Sequence, residues 1–319
     1  MRKINLLDGD VAYLRHAFPV RDLVYWELGN FCTYKCSYCS PGFNSGSNPY
    51  QSTQIIQDTL KKLPPVLVIF SGGEPTFHPD FEKIVLEKPD HVVAGVVTNA
   101  SRPYAFWERI ISNLDLVILS YHNEFAQFDR FFKVAELVFK THKRGGRVNV
   151  IMLPWKWDEC VSVYNMVVEA GIPVTAKQLL KSFGNGCEGS VIQYTPEQIN
   201  WLADASYPPH SGSTLIKIYN RNNEVIYNTS ATELFVQGQT NFTGWKCHIP
   251  EQYLVIGSDG KAYNTSCDQK QIVGDIYNGF TFPNPPVICR TPICWCFSDI
   301  AGRKSSPNYN GPIPNEKLS

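Results

Sequence analysis

Phe31-Cys32-Thr33-Tyr34-Lys35-Cys36-Ser37-Tyr38-Cys39 places three thiols on one short segment, spaced C-x3-C-x2-C. Three thiolates on one loop can wrap three corners of a cubane iron–sulfur cluster, whereas electron-transfer sites close it with four. The next cysteine after this segment is Cys160, so one iron has no local protein ligand. An open coordination position suits a metal site that binds a reactant, by the logic that separates catalytic from structural zinc. Structural zinc with a distant fourth ligand, or three unconnected core thiols, are the competing readings.

A second short stretch stands beside the first. Ser71-Gly72-Gly73-Glu74-Pro75 ends the apolar run that begins at Val66. Two glycines let the backbone approach a neighbour closely, and Glu74 offers a carboxylate to a cation such as an ammonium group. An ordinary Gly-Gly turn with a solvated Glu is the plainer reading of that stretch alone.

Six apolar runs alternate with helical patterns around these two motifs. The runs are 23–28, 66–71, 91–98, 114–120, 148–153 and 172–177, rich in Val, Ile and Leu as strands covered on both faces are. Helices are expected at 52–63, 81–87, 105–113, 125–144 and 158–170, with Gly145-Gly146 and Gly171 as stop signals. Such alternation gives a parallel sheet with right-handed crossovers. The expected fold is α/β: a partial (β/α)6 TIM-like barrel, then a small C-terminal iron–sulfur domain containing a β-hairpin. A flat doubly wound sheet competes with it. In a barrel the chemistry lies at the C-terminal strand ends, where the three cysteines fall.

After Lys177 the pattern breaks. Ser182–Ser190 is a Gly- and Asn-bearing loop, and Thr195 opens a helix with Pro196 in its first turn. Short β-like pieces follow at 215–219, 224–228 and 253–257, and Ser258-Asp259-Gly260 joins the last of these to 261–264 as a hairpin. The expected divisions are an N-terminal segment 1–20, a barrel 21–195, a linker region 196–235, an auxiliary domain 236–300 and a loose tail 301–319.

The totals fit an ordinary globular chain. It has 319 residues, 43% hydrophobic and 18% charged, with a formal net charge of +0. A balanced charge offers nothing to nucleic acid or to an anionic membrane. The N-terminus has no apolar stretch after Arg2 and Lys3, and no run is long enough to span a bilayer, so a cytoplasmic location is expected. In a reducing compartment the ten cysteines read as metal ligands rather than disulfides.

The two motifs together, C-x3-C-x-aromatic-C after strand one and Gly-Gly-Glu-Pro after strand two, resemble the radical S-adenosylmethionine (SAM) superfamily. The likeness covers residues 22 to about 180 in element order. It implies that Cys32, Cys36 and Cys39 hold a 4Fe–4S cluster, and that the amino and carboxylate groups of SAM chelate the fourth iron. Gly72, Gly73 and Glu74 match the motif that receives the amino group. Tyr38 matches the aromatic residue beside the adenine. Asn99 and Ser120, at strand ends, fall where ribose or carboxylate contacts are made, and Ile151 where a side chain packs on adenine. The resemblance also implies a reducing partner such as flavodoxin or ferredoxin.

Cys247, Cys267, Cys289, Cys294 and Cys296 flank and follow the hairpin. They resemble the auxiliary-cluster extensions called SPASM and twitch, which implies one auxiliary 4Fe–4S cluster with one spare thiol unassigned. The Cys-x4-Cys-x-Cys ending departs from the full SPASM pattern, and zinc with the same ligands is the alternative.

For the reaction itself the candidates are Cys187, a possible hydrogen-atom donor for an epimerisation, and His122 and Glu124 beyond strand four. His78, Lys177, Gln178 and Lys181 are further polar residues near the expected mouth. The implied activity is reductive cleavage of SAM and hydrogen abstraction from a small polar molecule (sugar, aminoglycoside or nucleoside), leading to oxidation or epimerisation. Maturation of a ribosomally made peptide is the alternative; only about twenty residues precede strand one, which disfavours a fused peptide-recognition domain. An iron–sulfur electron carrier or zinc-stabilised binding module is the non-enzyme reading.

Overall fold

Apolar runs of five to eight residues become strands, and polar-apolar periodic stretches become the helices between them. The computed structural model describes residues 5–17, 22–179, 193–205, 215–267 and 269–311. After β1 (Val11–His16) come six strands: β2 (Leu23–Glu27), β3 (Val66–Ser71), β4 (Val92–Thr98), β5 (Leu116–Tyr121), β6 (Gly145–Met152) and β7 (Val174–Gln178). Between β2 and β7 lie α1 (Pro41–Asn44), α2 (Thr53–Lys62), α3 (Phe81–Leu86), α4 (Tyr104–Ile110), α5 (Phe128–Glu136) and α6 (Trp157–Glu169). The remaining helices are α7 (Pro196–Asp204), α8 (Ala231–Val236) and α9 (Phe297–Ala301).

Strands β2 to β7 are parallel neighbours in sequence order. Their burial alternates. Val24, Trp26, Val68, Phe70, Ala94, Val96, Val117, Leu119, Val148, Val150, Val174 and Ala176 share one apolar core with Ile56 and Leu60 of α2, Ile84 of α3, Trp107 of α4, Val134 of α5 and Val167 of α6. All of these helices therefore cover one face. The opposite face carries Tyr25, Glu27, Ser71, Ser120, Arg147, Asn149, Thr175 and Lys177 by strand parity. A doubly wound sheet would carry helices on both sides; here polar residues stand among apolar ones such as Leu67, Ile69, Val97 and Ile118 on the face away from the helices, and among the described residues no pair closes the ends of the sheet, so it is a partial barrel. The expectation of strands buried on both faces gives way to that alternation.

Local signals account for most element ends. Ser52 caps α2, and Pro64-Pro65 forbid its continuation. Thr195 and Gln198 form a reciprocal capping box with Pro196 at the start of α7. Gly171 ends α6 with φ +70°. Gly145-Gly146, expected to stop a helix, instead opens β6: a Cβ on Gly146 would stand 2.0 Å from the Val117 carbonyl oxygen, so only glycine allows this close pairing with β5.

The second half is less modular than its sequence suggests. Its strands are β8 (Leu215–Asn220), β9 (Val225–Ser230), β10 (Lys246–Cys247), β11 (Tyr253–Ile256), β12 (Lys261–Tyr263), β13 (Ile272–Asp275), β14 (Gly279–Phe280), β15 (Val287–Ile288) and β16 (Lys304–Ser305). β11 and β12 form the expected hairpin, and β11 adds in parallel to the β2 edge of the barrel sheet. β1, β8, β9, β10, β15 and β16 make a separate six-stranded sheet in the order β15-β10-β16-β1-β8-β9. The stretches expected as N-terminal segment, linker and tail thus each supply strands to it. Long-range pairing, which no local pattern reports, joins them. A second apolar core beneath this sheet includes Leu14, Ile218, Leu234, Phe242, Trp245 and Ile300.

Candidate active site

The three cysteines lie on the loop that leaves β2. Backbone bonds strap this loop to the end of β3: Gly73 N donates to the Gly29 carbonyl at 3.0 Å and Glu74 N to that of Phe31 at 2.7 Å. A Cβ on Gly72 would meet the Gly29 oxygen at 2.2 Å, and one on Gly73 the Phe31 oxygen at 2.1 Å. The glycine pair therefore exists so that two backbones can touch. Asn30 completes the loop by accepting from Asn48 N and donating to the Ser45 and Ser47 hydroxyls.

Glu74 is fully buried. Its carboxylate accepts four hydrogen bonds: from Thr76 N and Oγ1 at 3.2 and 2.6 Å, Thr98 Oγ1 at 2.7 Å and Asn99 N at 2.7 Å. Burial raises its carboxyl pKa, and the four donors oppose that. The side chain ties the ends of β3 and β4 together beneath the cysteine loop. Asn99 in turn extends its amide toward Cys32 Sγ at 3.7 Å and Thr33 Oγ1 at 3.3 Å.

On the far side the loop is held by the turn after β5. Tyr38 Oη and His122 Nδ1 share a hydrogen bond of 2.7 Å, and the two rings stack at 6.0 Å. Glu124 accepts from Ser37 N at 2.7 Å and from the Ser37 hydroxyl. Tyr34 lies edge-on to His122 and stacks on Phe125. Burial pulls the His122 pKa down to about 4, so its imidazole is neutral at ordinary pH. His122 and Glu124, singled out for the reaction, are thus engaged with the cysteine loop itself. His78 is buried and bonded to the Gln51 carbonyl and to Asp80 N. Cys187 and Lys181 lie outside the described residues.

Cys32, Cys36 and Cys39 are free thiols, all within electrostatic reach of one another. Burial pushes Cys32 up to about 11 and Cys36 to about 12, so metal binding there must displace protons. Among the described residues no three His, Cys, Asp or Glu side chains are grouped to hold a single metal ion. An iron–sulfur cluster takes each cysteine on a separate iron, and three soft sulfur donors on one loop fit that group.

Ser120 is buried at the end of β5, and Ile151 is buried on β6, where its carbonyl meets Cys160 Sγ. Across the inner face Ser120, Asn149 and Thr175 form one polar row on β5, β6 and β7. Lys177 lies one step nearer the mouth, its Nζ 4.2 Å from the centroid of the Phe297 ring. Gln178 faces the helices instead and is buried, its Oε1 unpartnered among the described residues.

Phe297 follows Cys296, which caps α9. The Cys296 thiol is near enough to Lys177, Tyr25 and Tyr253 to influence all three electrostatically. The second cysteine group therefore borders the barrel interior, between its β7 edge and β2–β11. Cys247 interacts with Cys289, Cys267 and Cys294 with Cys247, and Cys294 with Cys296. Two further buried groups sit among them. Asp299 accepts from the Ser266 hydroxyl at 2.7 Å. Lys304 donates to the Asp299, Ile300 and Gly302 carbonyls and lies over the Phe242 ring. Neither was marked by the sequence, because Lys304 falls in a stretch composed like a tail.

The family model described as "Radical SAM superfamily" matches residues 26–176. No curated protein matches the chain. Among solved structures, "Native anSMEcpe with bound AdoMet" is 18% identical with a TM-score of 0.52, over 81% of this chain and 79% of that chain. "Native anSMEcpe with bound AdoMet and Cp18Cys peptide" is 20% identical with a TM-score of 0.53, over 81% and 78%. SuiB of Streptococcus suis is 14% identical with a TM-score of 0.51, over 80% and 63%. At such identities the likeness is one of fold, and it extends well beyond the segment that the family model matches.

Proposed function

Since the chain belongs to the radical SAM superfamily through residues 26–176, we propose that it is an enzyme that cleaves SAM reductively and abstracts a hydrogen atom from a small polar substrate. Cys32, Cys36 and Cys39 would hold the cluster, and Gly72, Gly73, Tyr38, Asn99, Ser120 and Ile151 would surround the cofactor. Bound there, the cluster and SAM supply a 5′-deoxyadenosyl radical when one electron arrives from a flavodoxin- or ferredoxin-like donor. The chain's own part is to fix the loop, exclude water and orient the substrate. Glu74 braces the strand ends in this reading, and with Gly72 and Gly73 it would receive the amino group of SAM.

The observation that carries the proposal is the cysteine loop strapped to Gly73 and Glu74 on one side and to His122 and Glu124 on the other. The second cysteine group would hold an auxiliary cluster of the SPASM or twitch kind, bordering the same interior. Oxidation or epimerisation of a sugar, aminoglycoside or nucleoside suits the polar residues that the inner face carries on β5, β6 and β7. A peptide substrate is the second reading, favoured by the fold shared with a structure that holds a peptide.

Anaerobic reconstitution followed by dithionite and SAM tests the reading. Formation of 5′-deoxyadenosine and a SAM-dependent change in the cluster's paramagnetic signal are expected. A signal indifferent to SAM would overturn it.

A further inference from the structure

We infer that the polar pair Asn149 and Thr175, on the inner face of β6 and β7, receives a carboxylate of the substrate, with Arg147 as its cationic partner. This rests on the radical SAM reading and narrows its substrate from a polar molecule to an acid.

Arg147 stands on β6, two residues before Asn149 and on the same face. Its Nε donates to Asn149 Oδ1 at 3.0 Å. Among the described residues that is its one hydrogen bond, and it pairs with no carboxylate. The bond to Asn149 fixes the plane of the guanidinium and leaves both terminal amino groups for a planar anion, which Arg meets in a fork.

Thr175 supplies the second observation. It is 6% exposed, and among the described residues its Oγ1 has no hydrogen-bond partner. It is paired in register with Asn149 and points by parity to the same face. Buried hydroxyls normally find partners, so this one is poised for a ligand oxygen. Lys177, two residues on, adds a second cation to the same wall. The acidic residue on the inner face of β2, Glu27, is opposite Ser71, has three strands between it and β6, and accepts from Ser258 N. A wall with Arg147 and Lys177 would repel a polycationic aminoglycoside and attract an acidic sugar or nucleoside.

The test uses the reconstituted enzyme with SAM and simple anions as probes. Thermal unfolding is compared in malonate, acetate, phosphate and chloride at equal ionic strength. Malonate and acetate are expected to raise Tm above chloride by about 2 °C or more. Arg147→Gln is expected to abolish that gain and Thr175→Val to reduce it. Equal Tm in all four anions, or a gain that survives in Arg147→Gln, overturns the proposal. A gain with phosphate alone also overturns it, because the site then takes a different anion. Should Arg147→Gln fail to fold, the wild-type series and Thr175→Val decide. Failure to form 5′-deoxyadenosine in the same preparation would sink the radical reading separately, since the thermal result does not depend on it.

Discussion

Glu124 grips Ser37 twice, through its backbone N–H and its hydroxyl. Ser37 lies directly after Cys36, so the β5 turn sets where the second and third thiols stand. Charge-assisted bonds of this kind are stronger than neutral ones. Glu124→Ala is expected to leave the barrel folded but loosen the loop. Iron bound at the first site and 5′-deoxyadenosine formed per chain should both fall, the latter about tenfold, which corresponds to about 1.4 kcal/mol. Glu124→Gln should recover part of each. Unchanged iron content in Glu124→Ala would show that the clamp is idle.

The two cysteine groups are separable in space and should be separable by substitution. Cys36→Ala is expected to abolish 5′-deoxyadenosine formation while the second group retains its iron. Cys267→Ala should leave SAM cleavage measurable and reduce the iron of the second group. Iron analysis and electron paramagnetic resonance on both variants check this; full SAM cleavage by Cys36→Ala would contradict the ligand assignment.

Glu74 is a brace with four donors around it. Glu74→Ala would strand two backbone N–H groups and two hydroxyls in the interior. Unsatisfied buried donors cost about 1–3 kcal/mol apiece, so a loss of at least about 3 kcal/mol in unfolding free energy is expected from denaturant titration. A loss below about 1 kcal/mol would mean that water or relaxation replaces the carboxylate.

Glu27 gives a pH signature. Burial raises its carboxyl from an ordinary value of 4.5 to about 7, with the Ser258 N–H opposing. The folded chain therefore holds a proton that the unfolded chain has released between those values. The contribution is fully present below about pH 4.5 and is lost as pH rises through 7. Denaturant midpoints between pH 5 and pH 8 should fall more in the wild type than in Glu27→Gln. An identical slope in both would assign the effect elsewhere.

Much of the barrel could be read in advance because parallel strands declare themselves as short apolar runs and because Cys32–Cys39 and Ser71–Pro75 are contiguous. Their partners could not be read so easily. His122 and Glu124 were visible as polar residues past a strand end, but only the folded turn shows them reaching Tyr38 and Ser37. Arg147 falls just before the apolar run 148–153 and Thr175 inside the run 172–177, and their shared face appears only once the extent and register of β6 are known. The second sheet was missed because its strands come from residues 11–16, 215–230, 246–247, 287–288 and 304–305, joined by contacts that leave no periodic trace.

One edge of β1 faces β8 and the other faces β16, where Tyr13 is opposite Ser305. A chain made from its N-terminus can finish the barrel strands long before Lys304 and Ser305 emerge. Until then the edge of β1 at Tyr13 and Leu14 lacks its β16 partner, a template for mispairing. The Lys304–Ser305 pair is therefore a late-arriving latch on an early strand.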